Sequence, residues 1–187
     1  MPTSHRAGGD LLGRDGSTPW TRTASGINEM NTERSLEDVR SIDALVQALY
    51  ACVSFPPGGQ PDYGRLRSLF HPEARISPPR SGPLSPIGVL DIENFITGSR
   101  EFIVTSGLDA RGFSEREIGR NEKRYGNIAQ VFSAYESRHL PADPKPHQRG
   151  VNAIQLVRDR ERWWVMSIVW DLERADNPVP PELKQGG

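Results

Sequence analysis

Arg162-Trp163-Trp164-Val165-Met166-Ser167-Ile168-Val169-Trp170-Asp171-Leu172-Glu173 holds three of the chain's four tryptophans and is apolar on both of its alternating faces. Side chains along a strand point to opposite sides in turn, so a strand apolar on both sides must be covered on both. The expectation is that one face closes an internal pocket and the other meets a second copy of the chain. The preceding segment, Gly150 to Arg158, alternates in the same way, and Asp159 to Arg162 turns one strand into the other. An even register through that turn puts Asn152, Ile154 and Leu156 on one face with Val165, Ser167 and Val169. Alternation adds Trp163 and Asp171 to that face. The opposite face then carries Val151, Ala153, Gln155 and Val157 with Trp164, Met166, Ile168 and Trp170. The first, more polar set is assigned to the pocket and the second to a dimer interface. A slip of one residue would exchange the two.

Working outward, 187 residues fit one domain with room for a core that needs no metal or disulfide. The 23 basic and 24 acidic residues leave a formal charge of −1, which argues against general nucleic-acid binding. Cys52 is the single cysteine, so no disulfide can form within the chain, and a reducing compartment fits. No apolar run is long enough to span a bilayer, and the N-terminal region lacks the apolar stretch of a secretory signal. The expected location is the cytoplasm.

Residues 1–31 are rich in Gly, Ser, Thr and Arg without any period and are expected to be a disordered tail, with Met30 a possible second start. Ser35-Leu36-Glu37-Asp38 is expected to open a helix whose apolar face runs through Val39, Ile42, Leu45, Val46, Leu49, Tyr50 and Val53. The proline- and glycine-rich stretch from Phe55 to Pro61 ends it. Asp62 caps a shorter helix through Leu66, Leu69 and Phe70. Ala74 to Ser77 is a brief strand, followed by a proline-rich loop to Pro86. Asp91 starts a third helix, with Ile92, Phe95, Ile96, Phe102 and Ile103 on one side and Gly107 as its C-terminal cap. Phe113 to Tyr125 is a charged strand, Gly126-Asn127 a hairpin turn, and Ile128 to Arg138 the next strand. Residues 32–176 thus form the domain, and 177–187 a proline-containing tail. Helices first and long strands afterwards mean an α+β fold. The arrangement expected is a cone-shaped, curved antiparallel sheet wrapped around three N-terminal helices and enclosing a pocket.

Three segments carry a resemblance. They are Leu69-Phe70-His71-Pro72-Glu73-Ala74-Arg75-Ile76, Gly126-Asn127-Ile128-Ala129-Gln130-Val131 and Arg162-Trp163-Trp164-Val165. In this order, from about Leu36 to Glu173, the chain resembles the nuclear transport factor 2-like superfamily, and within it an uncharacterised branch near the SnoaL-like and ketosteroid-isomerase-like members. The superfamily includes isomerases, polyketide cyclases, epoxide hydrolases, dehydratases, oligomerisation domains and pocket proteins. A fold does not fix its chemistry. The resemblance would place an isomerase base near Ile76-Ser77-Pro78-Pro79 and a second acid near Ile154, and neither position is acidic. It would match Tyr50 to the isomerase tyrosine.

His71 and Asp171 are the candidate acid–base residues. His71 also reads as an end-of-helix histidine, and Asp171 as a solvated strand-end acid. Tyr50, Tyr135, Asn152, Ile154, Trp163, Ser167 and Val169 are the candidate pocket residues. Tyr135, Asn152, Gln155 and Ser167 are polar on otherwise apolar strands, and hydrogen bonding within the fold explains them as well as ligand contact does. Cys52 reads as a buried, inert thiol. The run Ser114-Glu115-Arg116-Glu117 with Arg120 to Arg124 reads as a solvated edge strand protected by its charges. The four histidines lack zinc-site spacing, so no metal is expected, and no cofactor motif is present. The leading expectation is a homodimeric pocket protein for a small, mainly apolar organic molecule. A cofactor-independent cyclase, isomerase or dehydratase is the alternative, and a ligand-free assembly domain the third.

Overall fold

The computed structural model describes residues 32–80, 82 and 84–183. The expected tail at 1–31 and the start at Met30 lie outside the described residues. Helix α1 (Thr32–Val39) and helix α2 (Ile42–Val53) replace the single helix expected from Ser35 onward. The break has a local cause. Ser41 is extended, and its hydroxyl accepts the Ala44 N–H at 3.1 Å, so it starts a new helix. Val39, Ile42, Leu45, Val46, Leu49 and Tyr50 are buried, as their spacing required. Helix α3 (Tyr63–Leu69) is capped by Asp62, which accepts the Arg65 N–H at 2.9 Å. Helix α4 (Ile92–Thr105) is capped by Asp91 through Asn94 N–H at 2.8 Å. It ends at Gly107, whose φ of 71° is a left-handed conformation that suits glycine. A further turn of helix, α5 (Leu108–Arg111), follows and had no clear signal in the sequence.

The strands are β1 (Phe70–Ser77), β2 (Ser114–Tyr125), β3 (Ile128–Arg138), β4 (Gln148–Asp159) and β5 (Arg162–Leu172). They form one sheet in the order β1-β5-β4-β3-β2. The expected cone is not what forms. β1 pairs with β5 in parallel, through Phe70↔Val165 and Ile76↔Ile168, so the sheet is mixed rather than antiparallel. It is also open, with β1 and β2 as its two edges. The helices do not sit inside a closed wrap. They lie against the sheet, α2 on β2, α3 on β1 and β5, and α4 on β1. The α+β class stands, and its sheet is neither closed nor strongly curled.

Two bulges decide which side chains face the helices. On β2, Glu117 pairs with Tyr135 but Gly119 pairs with Ala134, leaving Ile118 unpaired. On β5, Ser167 pairs with Gln155 but Val165 pairs with Leu156, leaving Met166 unpaired. An extra residue on one strand shifts its alternation by one. The main core gathers α2, α3 and the inner faces of β3, β4 and β5, with Leu45, Leu69, Ile154, Leu156, Trp163 and Val165 almost fully buried. On the opposite face, residues 177–183 do not hang free. Val179 and Leu183, the latter in a short 3-10 turn (Pro181–Leu183), bury Ala134 with Ile118 and Val151 packed alongside.

Candidate functional site

A cavity of about 100 Å³, open to solvent on one side, lies between the helices and the inner face of the sheet. α2 supplies Leu49, Tyr50 and Val53, α3 Leu66, and α4 Phe95. The sheet supplies Phe70 and Ile76 from β1, Glu115 from β2, Tyr135 from β3, Asn152 and Ile154 from β4, and Ile168 and Trp170 from β5. The walls are mainly aliphatic and aromatic. Phe95 meets Trp170 edge-on at 6.2 Å between centroids, and Tyr50 is tilted against Tyr135 at 6.4 Å.

Tyr50, Tyr135, Asn152 and Ile154 are brought together at this cavity, while Trp163, Ser167 and Val169 are not. The β5 bulge is the reason. Up to Val165 the strand keeps the expected register, so Trp163 and Val165 point inward with Leu156. Trp163 is buried beyond the cavity, with the Arg124 guanidinium 4.9 Å from its ring. Past Met166 the register moves by one. Ile168 and Trp170, expected at a dimer interface, face the cavity opposite Ile154 and Asn152. Ser167, Val169 and Asp171 turn to the outer face, where Val169 is 46% exposed. Of the residues expected at the interface, Trp164 stays outside, with the Arg162 guanidinium 3.3 Å from its ring and His71 edge-on at 5.7 Å. Met166 is the unpaired bulge residue.

The two expected acid–base residues stand away from the cavity. Asp171 is exposed and bonded by Arg174 at 2.7 and 3.0 Å, and that hydrogen bonding holds its carboxyl below the usual range. His71 lies against Trp164, and its Nδ1 accepts the Glu73 N–H at 3.1 Å. Cys52 is fully buried, and burial pushes its thiol up to about 12. A thiol that resists ionisation is a poor nucleophile.

Glu115 is the residue that sequence reasoning missed. Its charged run reads as a solvated edge strand, but Glu115 pairs with Ser137 on the inward side of β3 and its carboxyl faces the cavity. Among the described residues no hydrogen bond or ion pair engages that carboxyl. Protein surrounds it except towards the cavity, and desolvation alone pushes it up to about 8. The signal was present in part: Glu115 and Glu117 alternate with Arg116 and Ile118, as a strand with one inward face does.

Behind the cavity wall runs a hydrogen-bonded chain. Ser133 Oγ donates to Glu117 Oε1 at 2.6 Å and Tyr50 Oη lies 2.7 Å from Ser133 Oγ. Asn152 Nδ2 donates to Tyr50 Oη at 3.1 Å. Ser133 has one proton and gives it to Glu117, so Tyr50 must donate to Ser133 and accept from Asn152. The Tyr50 proton therefore points away from the cavity, and burial holds the phenol far above its ordinary value. Tyr135 is raised likewise, first by burial and then by the Glu115 charge. Its hydroxyl crosses Gly150, where an added Cβ would lie 2.6 Å from Tyr135 Oη and from the Asp171 carbonyl oxygen. Glycine is what lets the ring lie there. Among the described residues no three His, Cys, Asp or Glu side chains gather as a metal-binding set.

No protein-family model and no curated protein matches this sequence. Solved structures do match in shape. An uncharacterised protein with a cystatin-like fold from Caulobacter vibrioides aligns over 72% of this chain and 89% of its own, at 12% identity and a TM-score of 0.52. A putative calcium/calmodulin-dependent protein kinase type II association domain from Thiobacillus denitrificans aligns over 73% and 98%, at 11% identity and 0.55. This is a cystatin-like fold. An NTF2-like protein of unknown function from Shewanella baltica is also similar, over 80% of this chain and all of its own, at 10% identity and a TM-score of 0.47. At such identities the likeness concerns the fold alone, and any function must be argued from the cavity.

Proposed function

We propose that this protein binds a small, mainly apolar organic molecule in the cavity between its helices and sheet. The observation that carries this reading is an open cavity with apolar walls and few polar groups, of which Glu115 and Asn152 are the ones nearest in kind to an orienting contact. A cavity left unfilled also weighs against the purely structural alternative, an assembly domain without a ligand. The chain acts in the cytoplasm without nucleic acid, in keeping with a buried lone cysteine and a net charge of −1. Among the described residues no helix is long and apolar enough to cross a membrane. The protein works as a homodimer through the outer sheet face. There Phe132, Ala153 and Val169 form a row across three strands, with Ile128 and Val157 beside it. Phe132 and Ile128 are 42% and 56% exposed, a large apolar surface for a lone chain.

Native mass spectrometry under gentle and then dissociating conditions tests both halves. A dimer that carries a defined extra mass is the expected result. A monomer at micromolar concentration would defeat the dimer, and Phe132→Asp is expected to convert a dimer to monomers that keep the wild-type circular dichroism spectrum.

Glu115 also favours a second reading, a cofactor-independent enzyme of the isomerase, cyclase or dehydratase kind. A carboxyl held near neutral pH in an apolar cavity can take or give a proton. It replaces His71 and Asp171 in that role. Ile76 and Ile154, where the superfamily resemblance placed acids, are apolar cavity wall. The check is exchange of the α-hydrogens of cyclohexanone in deuterated buffer, followed by NMR. Exchange that the wild type accelerates and Glu115→Gln does not would establish the chemistry, and equal rates would remove it.

A further inference from the structure

We propose that the ligand of this cavity is a small organic amine, bound as its ammonium ion between the Glu115 carboxylate and surrounding aromatic rings. The inference rests on the cavity being a ligand site, and it adds the chemical class. Five rings, those of Tyr50, Phe70, Phe95, Tyr135 and Trp170, line the space with Glu115. Among the described residues no lysine, arginine or histidine lines it. Two other shielded carboxylates among the described residues are answered from within the chain. Glu117 receives Ser133 and lies 3.7 Å from Arg120, and Asp38 is bonded twice by Arg65 at 2.7 Å. Glu115 instead faces a cavity whose described lining holds no counter-charge.

A carboxylate taken from water and left unpaired is costly, and a partner that brings a positive charge and N–H donors removes that cost. Aromatic faces attract cations as well, through the negative charge on the ring face. A neutral ligand would gain from the apolar walls alone and leave Glu115 as it is. An anion would be repelled. Tyr50 cannot serve as the orienting donor because its proton is committed to Ser133. Asn152 retains its carbonyl oxygen and one N–H for a second contact, since one N–H is given to Tyr50. The size also sets a limit. A dry cavity of about 150 Å³ holds a benzene ring, so a space of about 100 Å³ open at one side suits a single ring or short branched chain whose remainder extends outward.

Benzylamine, benzyl alcohol and toluene differ little in shape and separate charge from apolar contact. Each is titrated into the full chain near pH 8, where the amine is largely protonated, with binding read by calorimetry and ligand-observed NMR. Benzylamine is expected to bind at least about tenfold tighter than benzyl alcohol. Glu115→Gln is expected to erase that preference and keep toluene binding. Trp170→Leu is expected to weaken benzylamine more than toluene. Equal affinity for the three, or a preference that survives Glu115→Gln, would overturn the amine and leave the apolar pocket standing. Failure of all three to bind would overturn both.

Discussion

Each face of the sheet holds a carboxylate, and the two behave in opposite ways. Glu136, on the outer face of β3, is 4% exposed and is met by Arg116 at 2.7 and 2.9 Å, by Arg138, and by Arg149 at 3.5 Å. Burial works to raise it, but the hydrogen bonds from Arg138 and Arg116 outweigh burial and hold it below its ordinary value. Glu115, on the inner side of β2, has burial without any such partner and is pushed up to about 8. Removal from water pushes both acids up, and it does not by itself decide the charge of either. The partners that the opposite strand and helices place around each one do. The outer carboxylate belongs to the architecture, whereas the inner one is left for something the chain does not itself supply.

The largest effect that separates the two is expected from Glu136→Gln. It keeps the shape but leaves three guanidinium groups around a neutral amide, and should lower stability by about 2–3 kcal/mol in chemical denaturation near neutral pH. A change within error would mean that the arginines are well solvated and the cluster adds nothing. Acid should act in the same direction on the wild type. Glu136 is lower in the folded than in the unfolded state, so its contribution is present above the ordinary glutamate range and is lost as the pH falls through its folded value.

Glu115→Gln is expected to do the reverse. A folded value of about 8 above an unfolded value near 4.5 means that the folded state holds the extra proton between them. Stability therefore falls as the pH rises through that window and is level above it. The glutamine variant should be more stable by about 2 kcal/mol near pH 9, less than full burial would give because the carboxyl faces open solvent. The difference should vanish near pH 4. Parallel stability curves for the two proteins would show that Glu115 is not desolvated, and the contrast between the faces would fail.

A smaller effect sharpens the inner face. Tyr50→Phe removes the hydroxyl that joins Ser133 to Asn152 and should cost about 1 kcal/mol. Because the Tyr50 proton points to Ser133, the same change should alter benzylamine affinity by less than about threefold. A larger loss of affinity would place that hydroxyl in direct contact with the ligand.

Periodicity and capping made most of the elements legible. Asp62, Asp91 and Gly107 mark helix ends through side-chain or backbone chemistry contained within a few residues. The Gly126-Asn127 turn joins β2 and β3 as read, and the strand boundaries at Ile128 and Arg138 follow from alternation. Ser41 carried the signal for a second cap, but a continuous apolar face from Val39 to Val53 concealed it. The cavity was legible only in part. Tyr50, Tyr135, Asn152 and Ile154 line it, whereas Ser167 and Val169 exchange faces with Ile168 and Trp170.

The class of fold and the kind of surface each segment presents follow from the order of residues alone, because both arise from interactions over a few residues. Contacts between segments far apart in the chain set the rest: β1 runs parallel to β5, the sheet stays open, and Met166 and Ile118 are passed over in pairing. A bulge is a property of two strands, set by which pairing best fills the space beneath them, and no local pattern in one strand announces it. One unpaired residue on β5 put Trp170 into the cavity. The fold of β2 against β3 and α2 put Glu115 there as well, and with it the only unanswered charge in the cavity wall described.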